Sequence, residues 1–163
     1  MKTKAVLTEQ DVAQLLVAAK ELAHQRQWAV SVCVVDDGGH PLGLLRLDDA
    51  SPLSAYIATE KARTAAMGRR DSKFFEDMIN GGRYAFLSAP QLQGMLEGGV
   101  PIRHDGLCIG AIGVSGVKSE QDEADVEAHR VKARSDNESE SGDPGRRESE
   151  DGSDDVEAHR FKA

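Results

Sequence analysis

The chain has 163 residues, enough for one domain with a hydrophobic core. Its formal net charge is −8, yet residues 1–118 hold 13 of the 28 acidic and 13 of the 20 basic residues. We therefore predict a neutral globular body followed by an acidic appendage. No basic footprint for nucleic acid is visible, and no apolar run approaches the roughly 20 residues of a membrane span. Because no apolar signal segment follows Met1, a cytoplasmic location is expected.

The first periodic segment predicts a helix from about Glu9 to Gln25. Apolar residues recur there at helical spacing, and Thr8 is a suitable N-cap. Asp11 stands at the third helical position, where a full capping box would have Glu or Gln. We therefore expect Thr8 and Asp11 to come close to a capping box without completing it.

The stretch "WAVSVCVVDDGGHPLGLLRLDD" predicts an antiparallel hairpin. Its first strand, Trp28–Asp36, is rich in β-branched residues. Asp–Gly–Gly is a strong signal for a tight turn, and the chain returns as Pro41–Leu47.

Two further helices are predicted after this hairpin. Ser51 can cap the first, Pro52 suits its first position, and Gly68 suits the position just beyond its end. A shorter helix is predicted within 69–80, with Asp71 or Ser72 as its cap.

A second hairpin is predicted around the turn pair Asp105–Gly106, between "VPIR" and "LCIGAIGVSG". The order helix, hairpin, helices, hairpin predicts an α+β fold with an antiparallel sheet. No glycine pattern for cradling phosphate is present. Cys33 and Cys108 lie in apolar runs, so we predict two buried free thiols.

The chain changes character after about residue 121. Residues 134–155 contain no aliphatic residue other than proline and no aromatic residue, and they are predicted to be disordered. This acidic tail, residues 122–163, carries the nonapeptide "DVEAHRVKA" at 125–133 and "DVEAHRFKA" at 155–163.

Several segments together resemble one family. They are "VSVCVVDDGGHPLGLLRLDDA", "SAYIATEKARTAA" and "EGGVPIRHDGLCIGAIGVSG", followed by "SEQDEA". In this order they resemble the GlcG/HbpS-like proteins, a haem-binding or haem-degrading family that includes the C-terminal domain of PduO-type proteins. The resemblance covers roughly residues 5–124, so a GlcG/HbpS-like domain is expected over 1–121.

The resemblance implies a profilin-like α/β/α arrangement with an antiparallel sheet of about five strands. It also implies homo-oligomers that bind haem or, as the lesser alternative, a corrinoid. The expected function is therefore the binding of haem or a related tetrapyrrole, to which a haem-degrading, redox-sensing or iron-sensing role could be added. Membership of a family determines the fold of a protein better than it determines the function.

Two histidines are candidate axial ligands for haem iron. His24 is predicted near the end of the first helix, and its structural alternative is a surface residue that favours the helix dipole. His40 lies in the first hairpin turn and matches the family's Gly–Gly–His pattern. The structural alternative for His40 is a polar turn residue.

Further candidates for the binding site follow from the same motifs. Lys61 and Thr64 match the family's K-A-x-T-A pattern and share one helical face. Lys61 and Arg46 are suited to a propionate or another carboxylate. A last group of residues is expected to let the backbone approach a flat ligand: Gly98, Gly99, Pro101 and Ser115. Turn and bulge geometry alone also explains these residues.

Two other functions stay open at this point. The protein could bind or transform a small carboxylate metabolite at Lys61 and Arg46. Alternatively, it could be an oligomeric adaptor that recruits an unknown protein partner through the repeated tail motif, since two copies would raise avidity. Metal ligation by His129 and His159 is the weaker interpretation of the repeat.

Overall fold

The computed structural model describes residues 1 and 3–117. The tail predictions, including the boundary at 121/122 and both nonapeptides, lie outside these residues. The elements in chain order are α1 (Glu9–Gln25), β1 (Ser31–Asp36), β2 (Pro41–Arg46), α2 (Pro52–Gly68), α3 (Lys73–Asn80), the 3-10 helix η1 (Tyr84–Ser88), β3 (Gly99–His104) and β4 (Leu107–Ser115).

The strands form one antiparallel sheet in the order β2-β1-β4-β3. Both predicted hairpins are confirmed, and β4 joins them by pairing with β1. The described residues hold four strands, where the resemblance implied about five. Between α3 and β3 the chain forms the 3-10 helix η1 and loops.

Side chains that alternate along the two central strands build a core on each face of the sheet. On one face, Val32, Val34, Ile112 and Val114 pack with residues of α1. On the other face, the strands meet an alanine-rich side of α2 in a second cluster: Cys33, Val35, Ala58, Ala62, Ala65, Ala66 and Ala111. The α/β/α layers implied by the resemblance are thus confirmed.

The helix ends correct two details of the sequence analysis. Asp11 completes the capping box, because its carboxylate accepts the Thr8 amide at 2.8 Å while the Thr8 hydroxyl accepts the Asp11 amide at 3.2 Å. At the end of α2, Gly68 is still helical, and Arg69 takes the left-handed C-cap conformation with φ of 54°. Glycine usually occupies that position.

Both cysteines are buried free thiols, as predicted. Burial raises the pKa of the Cys33 thiol. Across the described part of the chain, no helix combines the length and apolar character needed to cross a bilayer.

Candidate functional site

The turn between β1 and β2 holds His40 in a defined position. The Asp36 carboxylate accepts the backbone amides of Gly38 at 2.9 Å and His40 at 2.8 Å. The same carboxylate lies 3.2 Å from Nδ1 of the His40 ring, through both oxygens. The His40 side chain is 80% exposed, so its Nε2 edge is presented to solvent.

Electrostatics reinforce this arrangement. Partial burial of Asp36 opposes ionisation, but the hydrogen bonds from the His40 and Gly38 amides and from the His40 ring outweigh it, and the pKa of Asp36 falls below its ordinary value. The carboxylate is therefore ionised at neutral pH and favours the tautomer with a proton on Nδ1. That tautomer leaves Nε2 as a lone-pair donor, which is the state that binds a metal ion.

Helix α2 supports the turn from the side. Nε of Arg63 donates to the carbonyl oxygen of Gly39 at 3.2 Å, and Arg63 also pairs with Glu60. Met67 lies against the turn at Gly39 and is 41% exposed. Gly39, which precedes His40 in the turn, thus has a cation and an apolar side chain on its helix side.

Lys61 and Thr64 do lie together on α2, but both are buried. Lys61 is 4% exposed, and its ammonium donates to the carbonyl oxygen of Val114 at 3.0 Å. Thr64 is fully buried, and within the described residues its hydroxyl has no hydrogen-bond partner. Both side chains therefore belong to the interface between α2 and the sheet, and the small-carboxylate function stays a prediction.

The predicted glycines lie where β3 passes beneath α2. Gly98 has φ of +113°, and its carbonyl oxygen accepts the Val114 amide at 2.9 Å. A Cβ at Gly99 would lie 2.6 Å from the carbonyl carbon of Lys61. Pro101 is buried two residues further along β3. In this structure the backbone that approaches Gly99 closely is that of α2.

The contacts of two buried polar residues next to this strand were not predicted from the sequence. Ser72, predicted as a helix cap, makes no cap bond; its hydroxyl accepts the Gly99 amide at 2.9 Å and donates to the carbonyl of Leu96. Glu97 is 6% exposed and lies 3.7 Å from the ammonium of Lys73. No local pattern identifies Glu97, because its burial depends on a helix more than 15 residues away.

The remaining candidates lie at the opposite end of β1. His24 is exposed in the last turn of α1. Arg46 is exposed at the end of β2. In the sheet register it lies opposite Ser31 of β1, and Ser31 lies opposite Ser115 of β4. Ser115 is 7% exposed.

His24 and His40 therefore form two separate candidate positions. At about 3.3 Å per residue, the six residues of β1 place roughly 17 Å between its ends. One iron cannot bind both imidazoles of the same chain. Among residues 1 and 3–117, no three His, Cys, Asp or Glu side chains are grouped closely enough to hold a metal ion.

Comparison with known proteins establishes the family. Residues 7–130 match the family described as haem-degrading protein HbpS-like. The chain belongs to the HbpS-like family. Protein GlcG of Escherichia coli K12 is 54% identical over 115 residues, which span 71% of this chain and 85% of GlcG.

Two solved structures share the fold of this HbpS-like chain. A crystal structure of a PduOC–haem complex has a TM-score of 0.70 and 32% identity, covering 78% of this chain and 94% of the other. A double mutant of HbpS from Streptomyces reticuli has a TM-score of 0.72 and 30% identity, covering 80% of this chain and 89% of the other. The resemblance inferred from the motifs is thus confirmed, and a haem-related binding function is supported.

Proposed function

We propose that this HbpS-like chain binds haem, with the imidazole of His40 as an iron ligand. The observation that carries the proposal is the likeness to the PduOC–haem complex, at 32% identity over 78% of this chain. Histidine is a common axial ligand of haem iron. Of the two candidate histidines, His40 has the geometry of a prepared ligand.

The contacts of His40 fit this role. Histidines that bind metals usually donate their other ring N–H to a carboxylate, which fixes the tautomer and the ring orientation. Asp36 provides that carboxylate at 3.2 Å from Nδ1. The ring is exposed, so a large flat ligand can reach Nε2 without a rearrangement of the core.

The surroundings of His40 also suit a tetrapyrrole. Met67 and Leu42 are 41% and 44% exposed and offer apolar contact to the macrocycle. Arg63, on the same side of the turn, is a cation suited to a propionate, although it also pairs with Glu60. Bound haem would supply ligand exchange and one-electron chemistry at iron, whereas these residues hold and orient it.

A haem-degrading, redox-sensing or iron-sensing role, a cytoplasmic location and homo-oligomer formation remain part of the proposal. The family description names haem degradation, which supports the first. For assembly, Leu44 is 52% exposed on the edge strand β2, an apolar side chain that a second subunit would cover.

Titration of the full chain with haemin, followed by the Soret band, tests the proposal. We expect a Soret shift for the wild type that is lost in His40→Ala and recovered when imidazole is added to that variant. The matched control is His104→Ala, because His104 is also an exposed histidine next to a hairpin turn, at the end of β3, with Asp105 at 3.5 Å. Unchanged binding by His40→Ala would exclude His40 as the ligand.

Two further arms separate the alternatives. His24→Ala should bind haemin as the wild type does; loss of the Soret shift in this variant alone would move the site to the end of α1. Hydroxocobalamin should produce no spectral change, and a change with it but not with haemin would favour the corrinoid alternative.

A further inference from the structure

Aromatic side chains are concentrated on one small part of the body. Of the six aromatic residues in the described chain, four lie in α3 and η1: Phe74, Phe75, Tyr84 and Phe86. Phe75 is 6% exposed and anchors the group, with ring centroids 5.5 Å from Phe74 and 5.9 Å from Phe86. Phe74 and Tyr84 remain 41% and 66% exposed, as does the neighbouring Leu87 at 65%.

Two arginines lie on this aromatic group. The guanidinium of Arg70 is 4.2 Å from the Phe74 ring centroid, and that of Arg83 is 5.1 Å from the Phe86 centroid. We call Arg70, Arg83, Phe74, Tyr84 and Leu87 the α3–η1 surface.

The charge of the two arginines is not neutralised by an ion pair within the described residues, where no carboxylate lies within 4.0 Å of either guanidinium. Two carboxylates of α3 have other contacts: Asp77 lies 3.3 Å from Lys73, and Glu76 accepts a backbone amide. Exposed apolar residues beside arginines are typical of protein-binding surfaces. An acidic segment with an aromatic residue would complement this surface.

The chain itself contains such a segment outside the described residues. Residues 148–163 read "ESEDGSDDVEAHRFKA", with six acidic and two basic residues and one aromatic residue, Phe161. Thirty-one positions separate Val117 from Glu148, a contour of about 100 Å at 3.3 Å per residue. That reach exceeds the size of the body, whose expected radius of gyration is about 13 Å.

We propose that residues 148–163 dock on the α3–η1 surface of their own body. Acidic side chains of the segment meet Arg70 and Arg83, and Phe161 packs against Phe74 and Tyr84. The docking gives the two nonapeptides different roles, because the second copy has Phe161 where the first has Val131. Aromatic residues and arginines dominate the energy of such contacts. Because the segment is tethered, its effective concentration at the surface is of millimolar order.

Paramagnetic broadening in the full chain tests this docking. Cys33 and Cys108 are buried, so a nitroxide reagent will label an introduced cysteine selectively. With the label at Ser153→Cys, we expect loss of amide signals across 70–87 and retained signals in α1. A label at Ser135→Cys, beside the first nonapeptide, is the matched control and should cause less loss at 70–87.

Substitutions and salt that weaken the docking should remove the broadening. Signals across 70–87 should return in Phe161→Ala, in the double variant Arg70→Glu/Arg83→Glu, and at about 1 M salt, where the Debye length is about 3 Å. The exposed Lys20→Glu on α1 is the control for a charge reversal away from this surface and should leave the broadening in place.

Four results would overturn the proposal. The first is unbroadened signals at 70–87 with the label at position 153, and the second is equal broadening in α1. The third is broadening of isotope-labelled, nitroxide-free chains by nitroxide-labelled, isotope-free chains in a mixed sample, because docking would then be between chains. Greater loss from the label at position 135 would also overturn it by assigning the surface to the first nonapeptide.

Discussion

Replacement of Gly113 by alanine should push α2 away from the sheet and lower the free energy of unfolding. Gly113 lies on the central strand β4, where it pairs with Cys33 of β1 and Gly99 of β3. A Cβ on Gly113 would collide with the carbonyl oxygen of Ala58 and lie 2.6 Å from the amide nitrogen of Ala62. These are backbone atoms of a helix, so they cannot rotate away as a side-chain tip could.

The magnitude follows from that geometry. Non-bonded heavy atoms prefer about 3.5–4.0 Å, so α2 would have to shift by about 1 Å or more. Overpacking of a core costs about 1–3 kcal/mol, and a rigid backbone neighbour places Gly113→Ala at the upper end of that range or beyond. At about 4 °C per kcal/mol, the melting temperature should fall by about 12 °C.

Urea unfolding followed by circular dichroism measures this loss. Gly81→Ala is the matched control, because Gly81 has φ of −76° and its added Cβ would lie no closer than 3.2 Å to the atoms around it. Both variants lose the same glycine freedom in the unfolded chain, which stabilises by about 0.4–1 kcal/mol. If the free energies of unfolding of Gly113→Ala and Gly81→Ala differ by less than about 0.5 kcal/mol, the close approach of α2 does not restrict the side chain at position 113.

Three other substitutions test separate contacts. Ser72→Ala should lower the free energy of unfolding by about 1–3 kcal/mol, because it leaves the buried Gly99 amide without its acceptor; urea unfolding equal to that of the wild type would contradict the assigned bond. Thr64→Val should raise the free energy of unfolding by about 1 kcal/mol, since it removes a buried hydroxyl without a partner among the described residues; a decrease in the same assay would show that the hydroxyl is bound. Asp36→Asn should be less stable than the wild type at pH 7. Because folding lowers the pKa of Asp36 below 3.8, its contribution is present above that value and lost as pH falls through the folded pKa, so the two unfolding curves should converge in acid; a constant gap would refute the linkage.

Local chemistry was sufficient to predict the three α-helices and four strands of the described residues, but not the 3-10 helix η1. The helix Glu9–Gln25 follows from its apolar period and the Thr8 cap, and both hairpins follow from Asp–Gly turns. These signals act over a few residues, so one sequence contains them. The sequence predicts Gly68 just beyond the end of α2, but Arg69 takes the left-handed conformation there. The carbonyl oxygen of Arg69 accepts a hydrogen bond from Arg103, 34 residues away, a contact that no local pattern contains.

The site was less accessible to sequence reasoning, for the same physical reason. The family motif identified Lys61 and Gly99, but their contact with each other depends on how α2 crosses β3. Glu97 and Lys73 are 24 residues apart and meet only in the folded chain. By contrast, Asp36 and His40 are four residues apart across a tight turn, so their pairing could have been predicted from "DDGGH".

A crystal structure of the full chain with haemin would test the central claim most directly. The measurement is the identity of the side chain bound to iron. We predict Nε2 of His40 as a ligand, with Nδ1 still directed to the Asp36 carboxylate. Iron bound to His24, or haem seated away from the β1–β2 turn, would contradict the account.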